Sequence, residues 1–186
     1  AEIATELARL EVDVIWADSA PALRAVYAAT RTIPIVALDF TTDPVAQGYA
    51  KSYGRPGGNV TGVFLDAPEF SSKWLELLKA IVPGLSRVAV LWDPAPGDLH
   101  ARALQAVAPS YGVQVQIIEV REPRDIDRAA SSFRGRPQAL ITLPSPMMFA
   151  EGTRIVDLAM KQRLPVTSAF PPFAEAGGTV AHGPEP

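Results

Sequence analysis

Ile33-Pro34-Ile35-Val36-Ala37-Leu38 is apolar along its whole length and runs straight into Asp39-Phe40-Thr41-Thr42-Asp43-Pro44. An apolar run of this size followed by an acidic residue just before a proline reads as a buried strand and then a helix start. The carboxylate caps free backbone N–H groups, and proline is tolerated in the first helical turn. A strand with no polar face belongs in a parallel sheet covered by helices on both sides.

The same unit recurs in both directions along the chain. Further strand-sized apolar runs fall at 12–16, 60–65, 87–92, 113–120, 139–143 and 165–170. Between them lie helical patterns. Phe70, Trp74, Leu77, Leu78 and Ile81 share one face, as do Ile126, Ala129, Ala130 and Phe133, and again Ile155, Leu158 and Ala159. Strands alternating with amphipathic helices predict an α/β protein with parallel sheets flanked by helices. Ile3, Leu7 and Leu10 place the start of the sequence inside a helix, and since a domain of this class normally opens with a strand, earlier elements are expected before Ala1.

Most strands end in a polar turn with proline: Asp18-Ser19-Ala20-Pro21, Thr42-Asp43-Pro44, Asp66-Ala67-Pro68, Asp93-Pro94, Glu122-Pro123, Pro144-Ser145-Pro146 and Pro171-Pro172. Several helix N-termini are therefore predicted at the carboxyl ends of the strands, the edge where open α/β sheets bind ligands. Arg55-Pro56-Gly57-Gly58-Asn59 is the densest turn signal, and a strand follows it directly.

Composition narrows the function. The 186 residues, 48% hydrophobic and 20% charged, suit one large domain or two small lobes. A net charge of −3 without a dense basic run lacks the footprint of a nucleic-acid binder. With no cysteine, thiolate metal sites and cysteine nucleophiles are excluded. No apolar stretch approaches the roughly 20 residues a membrane helix needs. The first nine residues are polar and do not resemble a signal peptide, so an export signal is expected outside this sequence.

No G-x-G-x-x-G follows a strand, and G-x-x-x-x-G-K, G-x-S-x-G and H-E-x-x-H are missing. His100 and His182 are far apart in sequence and build no histidine-rich metal site, and His100 is expected on a solvated helix. What remains is a set of residues at strand ends: Ser19, Ala20, Asp39, Phe40, Thr42, Asp43, Asp66, Trp92, Asp93, Ser145 and Phe170. Asp, Ser and Thr cap helices whatever the function. Asp39 stands apart, because it follows its strand directly and leaves Asp43 to act as the cap. Such a set suits a small zwitterion or carboxylate. Backbone N–H groups and the Ser or Thr hydroxyls would hold its anionic group, Asp39 its ammonium, and Trp92 and Phe170 an apolar or aromatic part. No catalytic residue, cofactor or metal is expected.

Thr32-Ile33-Pro34-Ile35-Val36, Thr42-Asp43-Pro44-Val45-Ala46-Gln47-Gly48, Arg55-Pro56-Gly57-Gly58-Asn59-Val60-Thr61-Gly62-Val63, Lys73-Trp74-Leu75-Glu76-Leu77-Leu78-Lys79 and Phe173-Ala174-Glu175-Ala176-Gly177-Gly178 occur in this order. In that order they resemble the ABC-transporter substrate-binding proteins of the tryptophan/tyrosine type, over nearly the whole chain. The resemblance implies a two-lobed periplasmic-binding-protein fold of the first type, with a ligand between the lobes. It implies residues 1–65 as most of a first lobe lacking its N-terminal strands, 66–178 as a second lobe and 179–186 as a segment crossing back. Two places depart from the family pattern: Trp92-Asp93-Pro94-Ala95-Pro96 replaces an N-P-x-N-P turn, and Thr167-Ser168-Ala169-Phe170 carries its aromatic residue late.

The implied function is the solute receptor of an ABC importer, a periplasmic monomer that binds an amino acid or an aromatic or carboxylate compound and engages a membrane permease. The alternative is a sensory or regulatory ligand-binding domain of the same fold, which fold alone does not separate from the first. A third reading, an enzyme using Asp39 or Asp43 as acid or base, lacks partner motifs.

Overall fold

The computed structural model describes residues 2–39, 42–64 and 67–183. The chain divides into two compact units, Ala1–Asp66 and Ala67–Pro186.

The first unit comprises α1 (Glu2–Arg9), β1 (Ile15–Ala17), α2 (Ala20–Ala29), β2 (Ile35–Asp39) and β3 (Val60–Phe64). The strands form a parallel sheet in the order β1-β2-β3, with Ile15 opposite Ile35 and Ile35 opposite Val60. Because side chains alternate along a strand, Ile15, Ala17, Ile35, Ala37 and Val60 share one face. That face is buried with Ala4 of α1 and Leu23 and Val26 of α2. On the other face Trp16 is 63% exposed and Val63 62%. The expected covering on both sides is therefore one-sided among the described residues here, since both helices of the unit lie on the same face. At Gly62, φ is +152°, and a Cβ there would stand 1.9 Å from the Ala37 carbonyl oxygen, so only glycine fits.

The second unit contains α3 (Ala67–Ile81), β4 (Arg87–Trp92), α4 (Leu99–Val107), β5 (Gln114–Glu119), α5 (Pro123–Ala129), β6 (Ala139–Thr142), α6 (Pro146–Ala150), α7 (Gly152–Gln162), β7 (Val166–Ser168), α8 (Pro171–Glu175) and β8 (Val180–Ala181). The sheet is parallel throughout, in the order β5-β4-β6-β7-β8. Trp74, Leu75 and Leu78 of α3 and Leu104 of α4 bury one face against Val88, Val90 and Ile141. Ile126 of α5 and Ile155, Val156 and Leu158 of α7 bury the other against Ala89, Leu91 and Leu140. This sheet is enclosed on both sides, as the apolar runs predict.

Several expectations are corrected. His100 is buried, not solvated: α4 turns it inward, with its ring 6.1 Å from that of Trp74. The α3 stripe rotates slightly, so Leu75 is fully buried while Ile81 is exposed. The helix expected through Phe133 ends at Ala129 and tightens into a 3-10 turn over Ala130–Ser132. Unforeseen in the sequence, Val180 and Ala181 form β8, hydrogen bonded into the second sheet through Thr179 N to Val166 O and His182 N to Ser168 O. The Trp74 indole Nε1 donates to the His182 carbonyl at 2.9 Å, joining α3 to the end of that strand.

Candidate functional site

In the second sheet the chain runs outward from β4 to β5 on one side and through β6, β7 and β8 on the other. Strand order therefore reverses between β4 and β6. At such a point the connections leave in opposite directions and open a crevice at the carboxyl edge. The residues bordering it are Trp92 at the end of β4, Asp93 after it, and Leu143 to Ser145 after β6.

Asp93 is buried, and its Oδ1 accepts the Ala95 amide at 2.9 Å. This is a local turn and not a helix cap, because α4 starts only at Leu99. The Trp92 indole donates to Gly97 O at 2.9 Å, fixing the loop between Asp93 and α4. Ser145 is buried and caps α6, its Oγ accepting the Met148 amide at 3.0 Å. Thr142, opposite Leu91 in the sheet register, buries a hydroxyl with no hydrogen-bond partner among the described residues. Sequence reasoning passed it over, since a threonine inside an apolar run reads as a strand former.

Phe170 stands one strand further along and opens α8, contributing no side-chain cap. Its amide donates to Ser168 Oγ at 3.3 Å, and its ring meets Phe149 edge-to-face at 5.1 Å. Phe149 is a second residue that sequence reasoning missed, because a phenylalanine in a short helix carries no mark of exposure.

In the first unit, Ser19 caps α2 through the Ala22 amide at 3.4 Å. Ala20 is buried in the core, so only its backbone is placed near the sheet edge. Asp39, the last residue of β2, is buried. It does not stand idle as its position suggested: Oδ1 accepts the Thr42 amide at 3.2 Å, and Oδ2 the Thr42 hydroxyl. Asp43 organises a turn and not a helix. Its Oδ1 accepts the Val45 and Ala46 amides at 2.8 and 3.1 Å, and its Oδ2 accepts the Tyr53 hydroxyl at 3.1 Å.

Asp39 and Thr42 line a cavity of about 100 Å³ together with Pro44, Tyr53, Gly62 and Phe64. Tyr53 and Phe64 stack with centroids 4.8 Å apart and planes 20° from parallel. The structure thus brings Asp39, Thr42 and Asp43 together around one loop of the first unit. In the second it sets Trp92 and Asp93 beside Ser145 at the strand-order reversal. Phe40 and Asp66 lie outside the described residues. In the first turn of α5, Arg124 is hydrogen bonded to and charge-paired with Glu122, which holds its guanidinium above its ordinary value and keeps it cationic.

Comparison with known proteins agrees with this architecture. A tyrosine-binding protein of Clostridioides difficile (strain R20291) is 26% identical over 185 residues, covering 97% of this chain and 50% of that protein. The chain thus spans half the length of this curated relative. Among solved structures, an ABC domain in complex with L-Trp from Streptococcus pneumonia superposes with a TM-score of 0.83 at 21% identity, over 96% of this chain and 60% of that one. A conserved domain protein from Vibrio cholerae gives 0.77 at 24% identity, over 95% of this chain and 61% of that one. At these identities the two structures establish a shared fold. The sequence pattern described as ABC transporter substrate binding protein matches residues 1–185, and the chain belongs to that family.

Proposed function

We propose that this chain is the solute-binding component of an ABC importer, working outside the cytoplasm and capturing a small organic ligand in a cleft between two lobes. The observation that carries the reading is the carboxyl edge of the second sheet, where Trp92, Asp93 and Ser145 gather at the reversal of strand order in a member of the substrate binding family. Polar side chains on an apolar floor suit a ligand with both a charged group and a carbon skeleton, such as an amino acid or an aromatic carboxylate. Asp39 and Asp93 supply carboxylates for an ammonium, Ser19 and Ser145 supply hydroxyls, and Trp92 and Phe170 supply ring faces. Hinge closure on the ligand would then present the closed form to a membrane permease. The family match favours this over the sensory reading, and the family is one of binding proteins, which is not an enzyme class.

A ligand that binds only the folded state raises its melting temperature, by about 2.7 kcal/mol of stabilisation at a hundredfold excess over Kd. The test is a thermal-shift series on the full-length mature protein with L-tyrosine, L-tryptophan, L-phenylalanine and L-leucine, the first two being ligands named for relatives. At least one should raise the midpoint in a saturable way. A flat response to amino acids and small aromatic acids alike would sink the transport reading.

A further inference from the structure

We propose that the outer edge of β5 takes an extended strand of a protein partner, one whose residues alternate between acidic and apolar. β5 is the edge strand of the second sheet, paired only with β4 among the described residues. The Gln114 and Val120 amides donate to Ser86 O and Trp92 O, so the even-numbered residues turn their backbone toward β4. The amides and carbonyls of Val115, Ile117 and Glu119 therefore point outward, a row of main-chain groups on which another strand can pair. Edges of this kind are normally blunted by lysine, proline or a bulge. β5 reads Gln-Val-Gln-Ile-Ile-Glu, and its register with β4 is unbroken from Gln114 to Glu119.

The two faces of this edge differ, and the difference selects the occupant. Val115 and Ile117 share a face with Val88 and pack against the core beneath α3 and α4. Gln114 and Gln116 turn to the other face, where Arg87 stands opposite Gln114. Gln116 holds Arg134 beside it: its Nε2 donates to Ser132 O and its Oε1 accepts the Arg134 amide, each at 2.7 Å. Arg87 and Arg134 line the groove along this edge with Gln105 of α4, and no carboxylate lines it. Both arginines are exposed, and neither enters an ion pair among the described residues. Opposite charges on neighbouring strands stabilise pairing. An added strand that sets apolar side chains beside Val115 and Ile117 and carboxylates beside the arginines matches both faces. A second copy of β5 does not, because its one acid, Glu119, lies on the Val115 face and is paired with Arg121.

The test is fluorescence anisotropy of the full-length protein with a short labelled peptide of alternating glutamate and valine. The peptide should bind saturably, and more weakly as salt is raised. A peptide of alternating lysine and valine should not bind. The double variant Arg87→Gln, Arg134→Gln should lose about tenfold in affinity for the acidic peptide, with its melting temperature nearly unchanged because both side chains are exposed. Methylating alternate backbone nitrogens of the peptide keeps its side chains and removes its donors, and should abolish binding. An acidic peptide that fails to bind overturns the proposal, as does binding that survives N-methylation or the loss of both arginines, or that the lysine peptide equals. Self-association of the protein that the peptide disperses would assign the edge to a second copy and overturn it equally.

Discussion

In the second unit β4 is buried without interruption from Val88 to Leu91, because α3 and α4 cover one face of the sheet and α5 and α7 the other. In the first unit β1 alternates, Ile15 and Ala17 buried and Trp16 exposed, because α1 and α2 pack on the same side. Both sheets are parallel and both are written in apolar strands. What differs is where the helices land. Strand composition reports how a sheet can be buried, whereas the order and hand of the connections decide which faces are buried.

Four substitutions would sharpen or break this contrast. Leu140→Ala, in the fully enclosed sheet, should cost about 2–5 kcal/mol, read from denaturant unfolding followed through Trp74 and Trp92, because the cavity it leaves cannot collapse between two helical layers. A loss below about 1 kcal/mol would mean that the second sheet is less tightly covered than its burial indicates. In the first unit, Gly62→Ala should cost about 2–4 kcal/mol, since a Cβ overlaps the Ala37 carbonyl and the backbone sits at positive φ. Hydrogen exchange of the β2 and β3 amides reads this locally. Retention of their protection would refute the overlap of a Cβ at position 62 with the Ala37 carbonyl.

Ser145→Ala should cost about 1 kcal/mol by removing the α6 cap, with the change confined to the carboxyl edge of the second sheet. The smallest effect belongs to the open face. Trp16→Thr should change stability by no more than about 0.5 kcal/mol. It should also remove most of the emission that acrylamide quenches, since Trp16 is exposed while Trp74 is fully buried. Quenching that persists at its wild-type level would place Trp16 under cover.

Much of this was legible in the residues. The strand from Ile35 to Asp39 and the stripe through Trp74 and Leu78 follow from apolar runs and from periodicity, which hold wherever the faces are buried. The polar turns were located correctly but were not all of one kind. Ser19 and Ser145 cap helices, whereas Asp43 and Asp93 bond amides two or three residues on and close loops instead. The same side-chain chemistry serves both geometries, and only the following residues decide between them. β8 escaped notice because two residues carry no period. His100 was misplaced because a lone polar residue in a sequence does not announce its ring neighbours, here Trp74 at 6.1 Å. Phe149 stayed hidden for the converse reason: exposure of an apolar ring is a tertiary fact.

The bond from the Trp74 indole to the His182 carbonyl spans 108 positions of sequence. On a ribosome that separation is also a delay. The strands β1, β2 and β3 pair with neighbours in the order in which they are made, so the first sheet can assemble as it emerges. The second cannot finish that way, because α3 appears early and its partner at the end of β8 appears more than a hundred residues later. Contacts of such separation are slow to form and leave apolar surface open meanwhile. During synthesis the α3 face that bears Trp74 is therefore the part of the second unit that waits longest for its partner at the end of β8.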